Sequence, residues 1–227
     1  MTLSVPSYVI PGTYGENVEF LADRREIQAV ELLFYYFDDE SRDLFVREKS
    51  LIASYRERFT FAVHMPDSLL PQHERLIELT RDLAQRYILH SPPGDLDGFR
   101  DMVEGWQERY GRVFFVENLI ARDFLPVAEM MSSFPLCCDT GHLLRSGSSV
   151  EEFIKRYGPR IQEIHLHGVR DGADHQTFAA GEPWFQELVP FLRAFDGVVN
   201  IEVFSIGEVD TIVSALAEVG LLPKKGF

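Results

Sequence analysis

Short apolar runs alternate with amphipathic stretches along the whole chain, and each alternation predicts one strand followed by one helix. SYVIP predicts a first strand, and YGENVEFLADR follows with a helical stripe at Val18, Leu21 and Ala22. AVELLFYY predicts the second strand, and the stretch from about Ser41 to Glu57 a helix with Leu44, Phe45, Leu51 and Ile52 on one side. FTFAVHMP is the third strand. PQHERLIELTRDLAQR is a helix with Pro71 in its first turn, where a missing N–H costs nothing. YILHSP is the fourth strand, ended by Pro92, Pro93 and Gly94. DLDGFRDMVEGWQERYG is a helix closed by Gly111, and VFFVENL the fifth strand. DFLPVAEMMSSF tolerates Pro126 only in a first helical turn, and PLCCDTGHLL is the sixth strand. SSVEEFIKRYG opens on a serine cap with a carboxylate three residues on, at Glu151 or Glu152. IQEIHLHGV is the seventh strand, and a long polar loop with Gly172 and Gly181 leads to the helix WFQELVPFLRAF. VVNIEVFS is the eighth strand and GEVDTIVSALAEVGLL the last helix.

Strands alternating with helices imply a parallel sheet. Eight such units in 227 residues, with no linker between them, predict a single-domain (β/α)8 TIM barrel near the short end of its size range. An open doubly wound sheet would need a Gly-rich phosphate fingerprint after the first strand, and PGTYGEN lacks that spacing.

Polar residues break the apolar pattern at one end of successive strands. His64, Glu117, Asp139, His165, His167 and Glu202 end apolar runs, as does His90; His142 and His175 follow shortly after. In such barrels that end carries the active site. Three carboxylates gathered there would repel one another unless a cation compensates them. Glu117, Asp139, His165 and Glu202 offer oxygen and nitrogen donors without thiolate, which suits Zn²⁺, Mn²⁺, Mg²⁺ or Fe²⁺. His64, His90 and His142 extend the set far enough for a second ion, so one to two ions are expected. His73, beside Glu74 in the first turns of a helix, reads as solvated. Glu31 reads as a core carboxylate with a partner in preference to a site acid. Arg170 is either a phosphate contact or a surface residue; Phe61, Phe114, Phe115 and Phe204 read as packing.

Charge narrows the partners. Lys and Arg number 22 against 36 Asp and Glu, a net charge of −14 with no basic stripe, which counts against nucleic acid as substrate. A small anionic or sugar-containing substrate remains compatible, because a metal can supply the positive charge. No apolar run approaches the ~20 residues that span a membrane. MTLSVPSYVIPG lacks a basic n-region and a full apolar core, so the expectation is no signal peptide and a cytoplasmic protein. Cys137 and Cys138 are adjacent and point to opposite faces of a strand, which argues against a disulfide between them; they read as small buried residues in preference to a thiol near the site. Oligomeric state, including a homo-oligomer, stays open.

VHMP, LHSPPG, VEN, DTGH, IHLHG followed by DH, and IEVF, in this order, resemble the xylose-isomerase-like TIM barrels, which include sugar phosphate isomerases/epimerases and AP endonuclease family 2. The resemblance implies a shared metal held by Glu117, Asp139, His165 and Glu202, with His165 favoured over His167 by alignment. In the phosphoester-cleaving branch it implies a second ion at His64 and His90 with Glu117, and a third served by His142 and His175. The family pattern has Asp two residues before that last His; Ala173 stands there, with Asp174 next to His175, so a third ion is not expected in full. The opening PSYVIPGTYGENVEFL, with VELLFYY and HLHGV, is similar to the cobamide-remodelling phosphodiesterases of the CbiR type. That likeness implies hydrolysis of a phosphodiester in a small molecule, within a corrinoid's nucleotide loop; in such a hydrolase the catalytic residues are expected to be Glu117 and Glu202, as base or ligand. His142, His167, Arg170 and His175 would then contact substrate. The alternative is a sugar or sugar-phosphate isomerase or epimerase that uses one metal and exchanges protons through Glu117 and Glu202. A DNA endonuclease and a non-catalytic binding barrel are weaker readings, the first because of the acidic charge.

Overall fold

A computed structural model, described here for residues 1–120 and 123–223, closes eight parallel strands into a barrel. They are β1 (Thr2–Pro6), β2 (Ala29–Leu33), β3 (Thr60–His64), β4 (Ala84–His90), β5 (Phe114–Glu117), β6 (Leu136–Asp139), β7 (Ile161–His165) and β10 (Val198–Asn200). β10 pairs with both β7 and β1, which closes the ring. Helices α1 (Tyr14–Leu21), α2 (Asp39–Ser54), α3 (Glu74–Thr80), α4 (Leu96–Tyr110), α5 (Phe124–Met130), α6 (Thr140–Arg145), α7 (Val150–Tyr157), α8 (Pro183–Ala194) and α9 (Ile206–Glu218) follow the strands. No described helix is long and apolar enough to cross a membrane.

Strand periodicity divides the molecule into two interiors. One parity packs outward under the helices in a continuous core that includes Val5, Val30, Val63, Leu89, Val116, Cys138 and Ile164. The other parity fills the lumen, where only Ile88, Phe115 and Cys137 form an apolar cluster. Ala29, Leu33, Ala62 and Val198 share that parity, and between them the lumen is polar. Arg86 pairs with the fully buried Glu163 at 3.3 Å, and burial pushes that carboxyl up to about 7. Above them, the Asn200 amide donates to Glu31 Oε1 at 2.9 Å. Taking such groups from water is costly unless they are paired; here they form the floor on which the strand-end cluster stands.

Several boundaries differ from the expectation. The first strand is Thr2–Pro6, and SYVIP lies in the loop after it. The helix expected from Ser41 to Glu57 starts earlier, because Asp38 caps it by accepting from the Ser41 amide. DLAQR does not extend the third helix: Ala84 already belongs to β4. The sixth strand stops at Asp139, whose side chain accepts from the His142 amide and starts α6, so His142 rides on a helix. The polar loop after β7 contains an antiparallel hairpin, β8 (Gly168–Arg170) and β9 (Ala173–Gln176). Asp171 and Gly172 turn it with φ of 54° and 79°, the left-handed pair that a two-residue hairpin requires. His73 is buried, not solvated: its Nδ1 accepts from the Leu70 amide across a short 3₁₀ turn. Among the caps, Ser149 accepts from the Glu152 amide, as its spacing predicts.

Candidate metal centre

The strand ends deliver their polar side chains to one point because each lies at the lumen-facing parity of its strand's last residues. Glu117 sits at the middle. Its Oε2 lies 3.4 Å from His64 Nε2, 3.3 Å from His90 Nε2 and 3.6 Å from His165 Nδ1. Its Oε1 lies 3.4 Å from His142 Nδ1. Glu202 Oε2 is 3.0 Å from His165 Nδ1, 3.6 Å from His167 Nε2 and 3.9 Å from His175 Nδ1. Asp139 Oδ2 is 3.0 Å from His167 Nε2 and 3.5 Å from His142 Nδ1.

The four residues first expected around one ion are therefore only partly brought together. His165 meets Glu117 and Glu202, whereas the imidazoles at Asp139 are His167 and His142. Hydrogen bonds explain the division. The His175 amide donates to His167 Nδ1 at 2.8 Å, which places the His167 proton on Nε2, facing Asp139. His165 uses Nε2 on Glu31 at 3.2 Å and leaves Nδ1 toward the two glutamates. A carboxylate behind an imidazole fixes its tautomer and aims its lone pair, the usual support of a metal-bound histidine. Glu31 thus has partners, as its reading required, and one of them belongs to the site.

Backbone and neighbours hold the cluster rigid. Asn118 Oδ1 accepts from the Asp139 amide at 2.9 Å and its Nδ2 donates to the Asp139 carbonyl at 3.0 Å, locking β5 to β6 at the rim. Thr140 Oγ1 donates to the His167 carbonyl at 2.7 Å and lies 3.1 Å from the His165 carbonyl. Gly141 is required by its neighbour, since a Cβ there would overlap the His167 imidazole. His175 adopts φ of 52°, a strained choice for a non-glycine residue, and stacks its ring on His167 at 4.3 Å.

Electrostatics describe a site charged with protons in place of cations. Burial opposes the charge on His64, but the hydrogen bond and charge of Glu117 outweigh it and push its pKa up to about 9. Burial likewise opposes His142, and the Asp139 and Glu117 charges push it up to about 10. Burial would raise Glu117, yet the charges of His165 and His90 and the His142 hydrogen bond hold it well below the carboxylate range. Glu202 is held low in the same way, chiefly by His165. Burial pushes the Cys137 and Cys138 thiols far up.

Four buried atoms at this point face one another as ion pairs but make no well-aligned hydrogen bond among the described residues: His90 Nε2, Glu117 Oε2, His165 Nδ1 and Glu202 Oε2. Orphaned donors and acceptors are expensive inside a protein, and these four converge. Sets such as His64–Glu117–His165, His64–Asp67–His90 and Glu117–Asp139–His142 bring ligand atoms within 4.8 Å of one another. The donor chemistry and the orphaned atoms fit a divalent cation.

Not every expected residue joins the cluster. Arg170 is exposed on the hairpin strand β8, with no contact to the cluster among the described residues. Asp174 lies 4.0 Å from His142 Nε2 but is held at 2.7 Å by Arg145. Phe61 and Phe114 pack in the core, whereas Phe204 leaves it and lies 4.8 Å from the His175 ring at the mouth. Sequence reasoning missed Asp67, 3.4 Å from His90 Nδ1; its place three residues after His64, in VHMPD, was the available signal.

No protein-family model matches the chain, and no curated protein matches it in sequence. Solved structures do. A D-tagatose 3-epimerase-like protein superposes with a TM-score of 0.69 at 19% identity, covering 96% of this chain and 97% of the other. The probable 3-DHS dehydratase AsbF of Bacillus anthracis gives 0.66 at 14%, covering 100% of both chains. An AP endonuclease, family 2, of Brucella melitensis gives 0.62 at 15%, covering 96% and 98%. Their names span three chemistries on one architecture, so the likeness speaks for the fold and leaves the reaction to the site. In fold, this chain is a (β/α)8 TIM barrel like these proteins.

Proposed function

We propose that the protein is a divalent-metal-dependent hydrolase that cleaves a phosphodiester within a small molecule. One observation carries this reading: both oxygens of Glu117 are engaged, Oε2 by His64 and His90 and Oε1 by His142. A carboxylate whose two oxygens face different imidazoles could serve two cation sites. His64, His90 and Glu117 would hold one ion, and Glu117, Asp139 and His142 the other, with His165 and Glu202 flanking the first. Bound ions would supply Lewis-acid polarisation of the phosphoryl oxygens and activation of water. The chain's own part is to place those donors and take up a proton. Glu202, buried with Oε2 3.0 Å from His165 Nδ1, would act there as base or ligand. The net charge of −14 favours a small anionic substrate over nucleic acid. The likeness of the chain's opening to cobamide-remodelling phosphodiesterases makes a corrinoid's nucleotide loop the first substrate to try.

A second reading, sugar or sugar-phosphate epimerisation on one ion, has its own support. Glu117 and Glu202 both approach His165 Nδ1, at 3.6 and 3.0 Å, as a pair that could exchange a proton on opposite faces of a substrate. The similar structures lean this way more than toward hydrolysis, since epimerases recur among their names. Product analysis separates the two. With Mn²⁺ or Zn²⁺ added, and corrinoids and a panel of sugar phosphates as substrates, the hydrolase reading expects a new phosphomonoester. An isomeric sugar with no ester cleavage would overturn it.

A further inference from the structure

Beside the His64 flank of the cluster, the loops after β1 and β2 frame a groove of about 450 Å³. Its wall is formed by Tyr8, Tyr14, Tyr35 and Tyr36 with Leu33 and Leu44, and no residue lining it is charged. Two of those rings face water: Tyr8 is 52% exposed and Tyr36 78%. The wall behind them is rigid. Tyr14 stacks on Phe34 at 5.0 Å, meets Phe45 edge-on, and donates its hydroxyl to the Leu33 carbonyl at 3.1 Å. Tyr35 joins the groove to the cluster, with its ring 5.8 Å from His64 and 6.4 Å from Phe204.

We propose that this groove binds a flat, uncharged ring system carried by the substrate, while the substrate's phosphodiester reaches the cluster past Tyr35. The proposal rests on the hydrolase reading and adds what the substrate must carry. Tyrosine faces attract other π-faces and apolar edges, and their hydroxyls meet ring heteroatoms. A space of this volume suits a small molecule. The absence of charge from the lining excludes a phosphate or carboxylate there, in contrast to the cluster next to it. Because Tyr14 and Tyr35 are already fixed by packing, little ordering is needed on binding.

The test compares 2-naphthyl phosphate with methyl phosphate by equilibrium dialysis at saturating Mn²⁺, and adds 2-naphthol with the metal chelated. The naphthyl ester is expected to bind at least about tenfold more tightly than the methyl ester. In the double variant Tyr8→Ser, Tyr36→Ser, the two esters should bind alike, with methyl phosphate unchanged from the parent. Both tyrosines are exposed, so the core stays intact, and a circular-dichroism melt verifies it. Equal affinities for the two esters in the parent, or a preference that survives the double substitution, would overturn the proposal. Naphthol retained without metal while neither ester binds would leave the groove standing and remove the metal-centred reading instead.

Discussion

Glu117→Gln is expected to lower turnover by about 10³-fold or more, the scale of losing a catalytic base or a bridging ligand. The substitution keeps volume and hydrogen-bonding atoms but removes the charge that four imidazoles face: His64, His90, His142 and His165. Neither ion could then share a carboxylate. The fold should survive, because imidazoles that lose their anion can release a proton, and His64, now held up at about 9, would fall back toward its ordinary range. A folded, inactive variant, seen as an unchanged circular-dichroism spectrum with turnover at background, is the expected pair of results. Full activity would remove Glu117 from the mechanism. Glu202→Gln should behave likewise, since its Oε2 is equally buried and faces His165 at 3.0 Å.

Removing metal is the second large effect. Treatment with a chelator should abolish turnover, and readdition of a divalent ion should restore it. Stability should follow, because an ion that binds only the folded chain stabilises it by about 2.7 kcal/mol at a hundred times its dissociation constant. For a chain of this size that corresponds to about 5–10 °C in the melting temperature. The ion-free protein is not expected to collapse, since protonated His64 and His142 already neutralise part of the carboxylate cluster. Unchanged activity and melting temperature after chelation would argue that hydrogen-bonded ion pairs are the native state of the site.

Much of this architecture was legible in the sequence. The eightfold alternation was, and so was the recurrence of imidazoles and carboxylates at strand ends, since burying such groups is costly and their periodicity does not arise by chance in packing. What escaped was decided by contacts remote in sequence. SYVIP has stronger β character than TLSVP, yet Thr2–Pro6 pairs with Val198–Asn200 and takes the strand position. DTGHLL read as strand until the Asp139 cap turned it into a helix. The hairpin after β7 has strands of three and four residues, too short to show a period, although Asp171–Gly172 was a turn signal. The parity of His165 and His167 is the same, so only the third dimension could separate them: Glu31, 134 residues away along the chain, takes one ring, and Asp139 the other.

The central claim is that the strand-end cluster holds divalent ions, and a count of bound ions tests it most directly. The ion-free protein, titrated calorimetrically with Mn²⁺ or Zn²⁺ at neutral pH in two buffers of different ionisation enthalpy, should take up two ions per chain. It should also release protons, because His64 and His142 are held protonated until a cation replaces the proton. No bound ion, with no proton release, would contradict the account.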